Sequence, residues 1–162
     1  MTGTGRMTVY ETNSAFETAA LAEKLAEASS PGMVFALSGD LGAGKTVFSQ
    51  GFGKGLGVTG PVTSPTFTLL QVYEEGRIPF YHFDVYRLGD PSEFEEIGGE
   101  DYLYGDGVCL IEWPEQIEDY LPENTVLVRI GKDLAKGTDY RKITISGFPG
   151  ELPESVLDDT LV

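Results

Sequence analysis

The residues most suited to chemistry in this sequence run from Gly39 to Thr46: Gly39-Asp40-Leu41-Gly42-Ala43-Gly44-Lys45-Thr46. They satisfy the pattern G-x-x-x-x-G-K-[ST] at every required position. Glycines let the backbone turn back so that successive N–H groups point at oxygen anions. A helix beginning near Gly44 adds the positive end of its dipole. Lys45 is placed to reach the outer phosphates of a nucleoside triphosphate, and the Thr46 hydroxyl to ligate Mg²⁺. An apolar run, Met33 to Leu37, precedes the motif, and a helical repeat of Phe48, Phe52 and Leu56 follows it, which is the context such a loop requires. The motif predicts a bound triphosphate with magnesium. It does not say whether the phosphate is held, transferred or released to water.

Two acids further along bear on that question. In Tyr81-His82-Phe83-Asp84-Val85-Tyr86-Arg87 the period of a strand puts Tyr81, Phe83 and Val85 on one face and His82, Asp84 and Tyr86 on the other. Asp84, near the strand's C-terminal end, stands where an α/β sheet places ligand chemistry. The same pattern also fits an edge strand with one face in water and Asp84 paired to Arg87 or His82, and periodicity leaves both readings open. Val108-Cys109-Leu110-Ile111-Glu112 has the shape of a second nucleotide-site motif, four apolar residues and then an acid, with Glu in place of the commoner Asp. Its acid is expected at a strand tip beside the phosphate loop, holding the metal's water shell or orienting an attacking water. Trp113, the only tryptophan, follows directly, as a packing residue or as one that faces the nucleotide or a partner. The hydroxyls of Val62-Thr63-Ser64-Pro65-Thr66-Phe67 suit a γ-phosphate switch or a plain turn before a strand. Cys109 reads as core, and His82, the sole histidine, has no second histidine with which to share a metal.

These residues need elements to position them. Ser14-Ala15-Phe16-Glu17 has the form of a capping box, and Phe16, Ala20, Leu21, Ala22 and Leu25 suit an amphipathic helix ended by Ser30-Pro31-Gly32. Met33–Leu37 reads as a buried strand. The helix after Thr46 carries glycines at 51, 53 and 55, which predict a weak helix. Residues 66–73 and 78–86 read as a hairpin, Asp90 and Pro91 open another helix, and 108–112, 125–130 and 141–146 read as strands. Strands mixed with helices point to an α/β fold of the P-loop NTPase kind, a three-layer arrangement with a mixed central β-sheet. The 162 residues are expected to form one domain, with 1–6 a loose leader and 150–162 an acidic tail.

With 11 basic and 26 acidic residues the net charge is −15, which opposes independent binding to nucleic acid, since no run of Lys or Arg overcomes that field. No apolar stretch has membrane-spanning length, and no secretion signal is visible, so a cytoplasmic protein is expected. One cysteine makes no internal disulfide.

GDLGAGKT, TSPTFTL, YHFDVYRL and LIEWPE, in that order and spacing, resemble the TsaE family, formerly YjeE, small bacterial P-loop ATPases. The resemblance runs from about Thr12 to Leu121. It implies a part in forming N6-threonylcarbamoyladenosine at position 37 of tRNAs that read ANN codons, through binding to a TsaD–TsaB transferase pair and ATP hydrolysis that keeps the pair cycling. It further implies that Gly42, Gly44, Lys45 and Thr46 hold ATP, that Thr46 and Glu112 hold Mg²⁺, that Asp84 acts at the metal or the attacking water, and that Thr12 lines the nucleotide's base. Under this resemblance the functional reading of Asp84 is preferred to the edge-strand one. Two rivals remain. A small-metabolite P-loop kinase would need basic side chains to close over the transferring group, and between Val47 and Val128 only Lys54, Arg77 and Arg87 are on offer. A non-catalytic nucleotide switch would need no catalytic acid at all.

Overall fold

Apolar runs bounded by glycine and proline supply the centre of the sheet. Val34–Gly39 (β2) and Val108–Glu112 (β5) pair in parallel, with Leu37 opposite Glu112. In the computed structural model, which describes residues 7–40, 42–65 and 68–152, seven strands form one sheet in the order β1-β7-β6-β2-β5-β4-β3. The others are Met7–Thr12 (β1), Leu70–Tyr73 (β3), Phe80–Asp84 (β4), Val126–Lys132 (β6) and Arg141–Ser146 (β7). Strands β4, β5, β2 and β6 run parallel; β3 and β7 are antiparallel to their neighbours. The sheet is mixed, as the hairpin signal at 74–77 requires.

Helices cover both faces. Ala15–Glu27 (α1) and Lys45–Gly55 (α2) lie on one, where Phe35, Leu37, Phe80 and Leu110 meet Leu21, Leu25, Phe48 and Phe52. Ser92–Glu96 (α3), Gly99–Leu103 (α4) and the 3₁₀ segment Pro114–Tyr120 lie on the other, where Phe83, Cys109 and Ile111 meet Phe94, Leu103 and Ile117. The Ser14 capping box forms: Ser14 Oγ accepts from Glu17 N at 3.1 Å, and the Glu17 carboxylate reaches back to Asn13 N at 2.8 Å. Asp90 likewise accepts from Ser92 N at the start of α3.

Several expectations need correction. Phe16 is 69% exposed, because it lies on the side of α1 opposite the stripe formed by Thr18, Leu21, Ala22, Leu25 and Ala26. The glycines of α2, costly to a helix by propensity, have a packing role that periodicity does not show. A Cβ on Gly51 would stand 2.2 Å from Ala19 O, and one on Gly55 2.3 Å from Glu23 O, so their absence lets α1 lie directly on α2. Strand β4 is not an edge: β3 and β5 flank it, and His82 and Phe83 are both buried. Tyr86, expected on the His82–Asp84 face, lies beyond the end of the strand and is exposed. Strand β1 and the 3₁₀ segment are additions to the elements read from the sequence; β1 buries Tyr10 and Thr12 while its apolar Met7 and Val9 face outward. Residues 1–6, Leu41, Thr66, Phe67 and 153–162 lie outside the described residues, and with them the leader, most of the tail and part of the 62–67 segment.

Candidate nucleotide site

The two long helices end differently at their N-termini. Helix α1 is capped by Ser14, whereas α2 starts from Gly44 with no side-chain cap. Its first-turn N–H groups therefore have no partner from a capping side chain, which is the condition for holding an anion there. Gly42 (φ 76°) and Gly44 (φ 99°) take left-handed conformations that a side chain disfavours. Ala43 is buried, while Asp40, Gly42 and Thr46 are exposed at the loop's outer side.

Lys45 is folded back in this state. Its Nζ donates to Gly39 O at 2.8 Å and lies 3.5 Å from the centre of the Trp113 ring. Burial pushes the amine's pKa down, and the nearby carboxylates of Glu112, Glu115, Asp84 and Asp40 push it back up. An incoming anion would reinforce the second effect. Trp113 reaches this place because its backbone is left-handed (φ 62°), which turns the chain from β5 into the 3₁₀ segment and lays the indole over the amine. Trp113 packs against the core cluster of Phe83, Ile111 and Ile117 and on Tyr86 at 4.6 Å, and the same ring lies over the phosphate-loop amine.

Asp84 and Glu112 end adjacent parallel strands and are directly opposite in register. Both are buried. Asp84 accepts from Tyr86 N through Oδ1 at 3.0 Å and from Ser64 Oγ through Oδ2 at 3.3 Å, which ties Ser64 to the acid. Glu112 does not simply emerge from the strand tip. Its Oε2 is 2.7 Å from His82 Nε2 and 3.4 Å from Ser49 Oγ, one helical turn beyond Lys45. His82 pairs with Glu112 rather than with Asp84, one of the two partners the edge-strand reading offered that acid, and periodicity could not foresee this bond because it crosses between strands.

Thr12 is buried at the end of β1, its hydroxyl 2.7 Å from that of Thr18. Thr18 in turn lines a small cleft with Ala15, Gly44, Val47, Asp139 and Arg141. Thr12 thus backs this cleft from one hydroxyl away. Residues of the last strands also converge here. Arg141 donates through Nε to Ala43 O at 2.8 Å and through Nη1 to Thr138 O and Tyr140 O. Lys132, opposite Arg141 in register, brings its Nζ to within 3.7 Å of the space a Cβ on Gly42 would fill. Sequence reading missed both, since they reach the loop only through the pairing of β6 on β2, with Gly39 opposite Ile130, and of β7 on β6. By contrast Arg77 is committed to the C-terminal carbonyls of α1, at Ala26, Glu27 and Ser29, and Lys54 lies 3.8 Å from Glu23.

A family model described as "Threonylcarbamoyl adenosine biosynthesis protein TsaE" matches residues 12–143. The chain is 47% identical over 130 residues to a Bacillus subtilis protein named tRNA threonylcarbamoyladenosine biosynthesis protein TsaE, covering 80% of this chain and 79% of that one. It is 49% identical over 115 residues to a protein of the same name from Treponema pallidum, covering 71% and 82%. The crystal structure of Bacillus subtilis YdiB superposes with a TM-score of 0.75 at 39% identity, over 88% of this chain and 87% of that one.

Proposed function

Because this chain belongs to the TsaE family, we propose that it is a Mg²⁺-dependent ATPase serving the formation of N6-threonylcarbamoyladenosine at position 37 of tRNAs that read ANN codons, where it acts on the TsaD–TsaB pair. The names carried by its relatives support the tRNA-modification role. The observation that carries the chemistry is the meeting of an uncapped phosphate-loop helix with two buried strand-end carboxylates, Asp84 and Glu112.

The donor set suits magnesium. Among the described residues no three His, Cys, Asp or Glu side chains converge as a metal cage. A hydroxyl and two carboxylates, Thr46, Glu112 and Asp84, instead suit a hard cation that arrives with the phosphates and keeps part of its water shell. When bound, magnesium neutralises charge developing on the β- and γ-phosphoryl oxygens. Lys45 exchanges the Gly39 carbonyl for a phosphate oxygen. Asp40, Leu41, Gly42, Ala43 and Gly44 are the residues that would bind the phosphates, and Thr46 and Glu112, with Asp84 beside them, those that would hold the metal. Asp84, held by Tyr86 N, orients the attacking water or the metal's shell. The base sits toward the cleft backed by Thr12. We read the chain as a single domain at work in the cytoplasm; among the described residues no helix is long and apolar enough to cross a membrane.

Hydrolysis is favoured over phosphoryl transfer to a metabolite because Lys54, Arg77 and Arg87 are poor material for a kinase lid, and Arg77 is committed to the carbonyls at the end of α1. Of the two cations beside the loop, Arg141 is already donating to the carbonyls of Ala43, Thr138 and Tyr140, which leaves Lys132 as the one this chain brings near the phosphates. A group supplied by the partner, of the kind worth about 10³–10⁵ in rate, completes the site. Steady-state phosphate release tests the proposal. We expect slow turnover alone, acceleration by purified TsaD–TsaB, and loss of turnover in Lys45→Ala, Thr46→Ala and Glu112→Gln proteins that keep their fold. Equal rates in all variants would reject the site. Nucleotide binding without hydrolysis, even with the pair present, would favour the switch.

A further inference from the structure

The bond between His82 and Glu112 has no place in the reaction just described, and it joins two of the most enclosed polar side chains in the structure. His82 is 1% exposed and Glu112 4%. Both bonds that Glu112 receives, from His82 Nε2 at 2.7 Å and Ser49 Oγ at 3.4 Å, fall on Oε2, and Oε1 has none among the described residues. Ser49 is itself anchored to Lys45 O at 2.8 Å, so this side of the carboxylate is tied to the helix that begins at the phosphate loop. A carboxylate turns about its last bond unless one oxygen is fixed. With Oε2 fixed, Oε1 has one direction left. The imidazole is also poorly suited to a purely packing role. Its ring stacks on Phe80 at 5.6 Å, as any flat ring would, yet its Nδ1 is the buried side-chain N or O atom without a partner among the described residues. A phenyl ring would stack equally well and strand no nitrogen. What the imidazole adds is the Nε2–H donor, because an ionised carboxylate can only accept.

We infer that His82 is the positioning residue for Glu112, fixing Oε2 so that Oε1 is presented to the metal's inner or water shell. This rests on the proposed role of Glu112. Partners that orient metal-binding side chains typically contribute about 10–100-fold in affinity or activity. Gln at 82 can keep an amide donor near the position of Nε2; Phe keeps the stacking and removes the donor.

The test uses Mn²⁺ in place of Mg²⁺, with binding read by electron paramagnetic resonance in saturating ADP, beside steady-state ATP hydrolysis with kcat and KM separated. His82→Phe should weaken Mn²⁺ binding and lower kcat by about 10-fold or more, with KM for ATP little changed, while His82→Gln stays within a few-fold of the unmodified protein. A folded His82→Phe protein with normal Mn²⁺ affinity and kcat overturns the inference. So does an equal loss in both variants that tracks a lowered melting temperature, which would mark His82 as packing alone. If His82→Phe does not fold, His82→Gln against His82→Leu decides by the same comparison. Should the unmodified protein itself bind no Mn²⁺-nucleotide and hydrolyse no ATP, the proposed function falls and this inference with it. A normal unmodified protein with unaffected variants removes only the inference.

Discussion

Trp113 holds a left-handed backbone conformation that costs a non-glycine residue about 1–3 kcal/mol. The strain has a local return: the indole covers the Lys45 ammonium at 3.5 Å, one residue after a carboxylate that faces the same helix. A lysine that leaves the ring for a phosphate oxygen must change the indole's surroundings. Trp113, as the sole tryptophan, reports this without interference. Titration with Mg²⁺-ATP or Mg²⁺-ADP is expected to alter its emission saturably, and the Lys45→Ala protein to lose most of the response. An emission spectrum that ignores saturating nucleotide would mean that Lys45 does not move on binding.

At the scale of elements, the α1–α2 contact is the one on which simple helix propensity misleads. Propensity alone says that replacing Gly51 with Ala stabilises a helix interior by about 1 kcal/mol. The packing says the reverse, because the new Cβ would meet the Ala19 carbonyl and Cα at 2.2 and 2.8 Å, both backbone atoms that can move only with their helix. Overpacking of this kind costs about 1–3 kcal/mol. At about 2–4 °C per kcal/mol for a chain of this size, Gly51→Ala should melt several degrees lower. Gly60→Ala is the control, since the nearest atom to its Cβ is a Glu75 carboxylate oxygen at 3.9 Å. A Gly51→Ala protein that melts higher than the unmodified one would show the helix contact to be looser than described. The same contact sets the angle at which α2 presents its N-terminus to the phosphates.

For the whole molecule, one buried thiol makes the alkaline end of the pH scale informative. Burial raises the Cys109 pKa to about 12, against an ordinary 9.0. An acid whose folded pKa is raised releases its proton first in the unfolded chain. Its contribution is therefore fully present below pH 9 and is lost as pH rises from 9 toward 12. Denaturant unfolding at pH 7, 9 and 10.5 is expected to show stability falling over the upper interval, and falling less steeply in a Cys109→Ala protein. Parallel slopes in the two proteins would show that Cys109 ionises in the folded state as it does unfolded. At neutral pH the same thiol, bonded to Tyr102 O at 3.3 Å, is expected to resist alkylation until the core opens.

The local signals were strong wherever a motif is contiguous. The phosphate loop, the capping box at Ser14 and the strands 108–112 and 141–146 follow from residue types and periods, because hydrogen bonding and burial within a few residues determine them. The placement of Asp84 and Glu112 at strand ends was also legible, since a strand end is local, whereas periodicity left the role of Asp84 open. Tertiary structure alone decided which groups surround them. The register of β4 on β5 puts Asp84 opposite Glu112, and a diagonal neighbour across that same pairing gives Glu112 its bond to His82. The β6–β7 hairpin carries Lys132 and Arg141 to the loop from far along the chain. The stripe of glycines in α2 reads as weakness until α1 is laid upon it. Each of these depends on the distance between elements remote in sequence, and no period within one element encodes that distance.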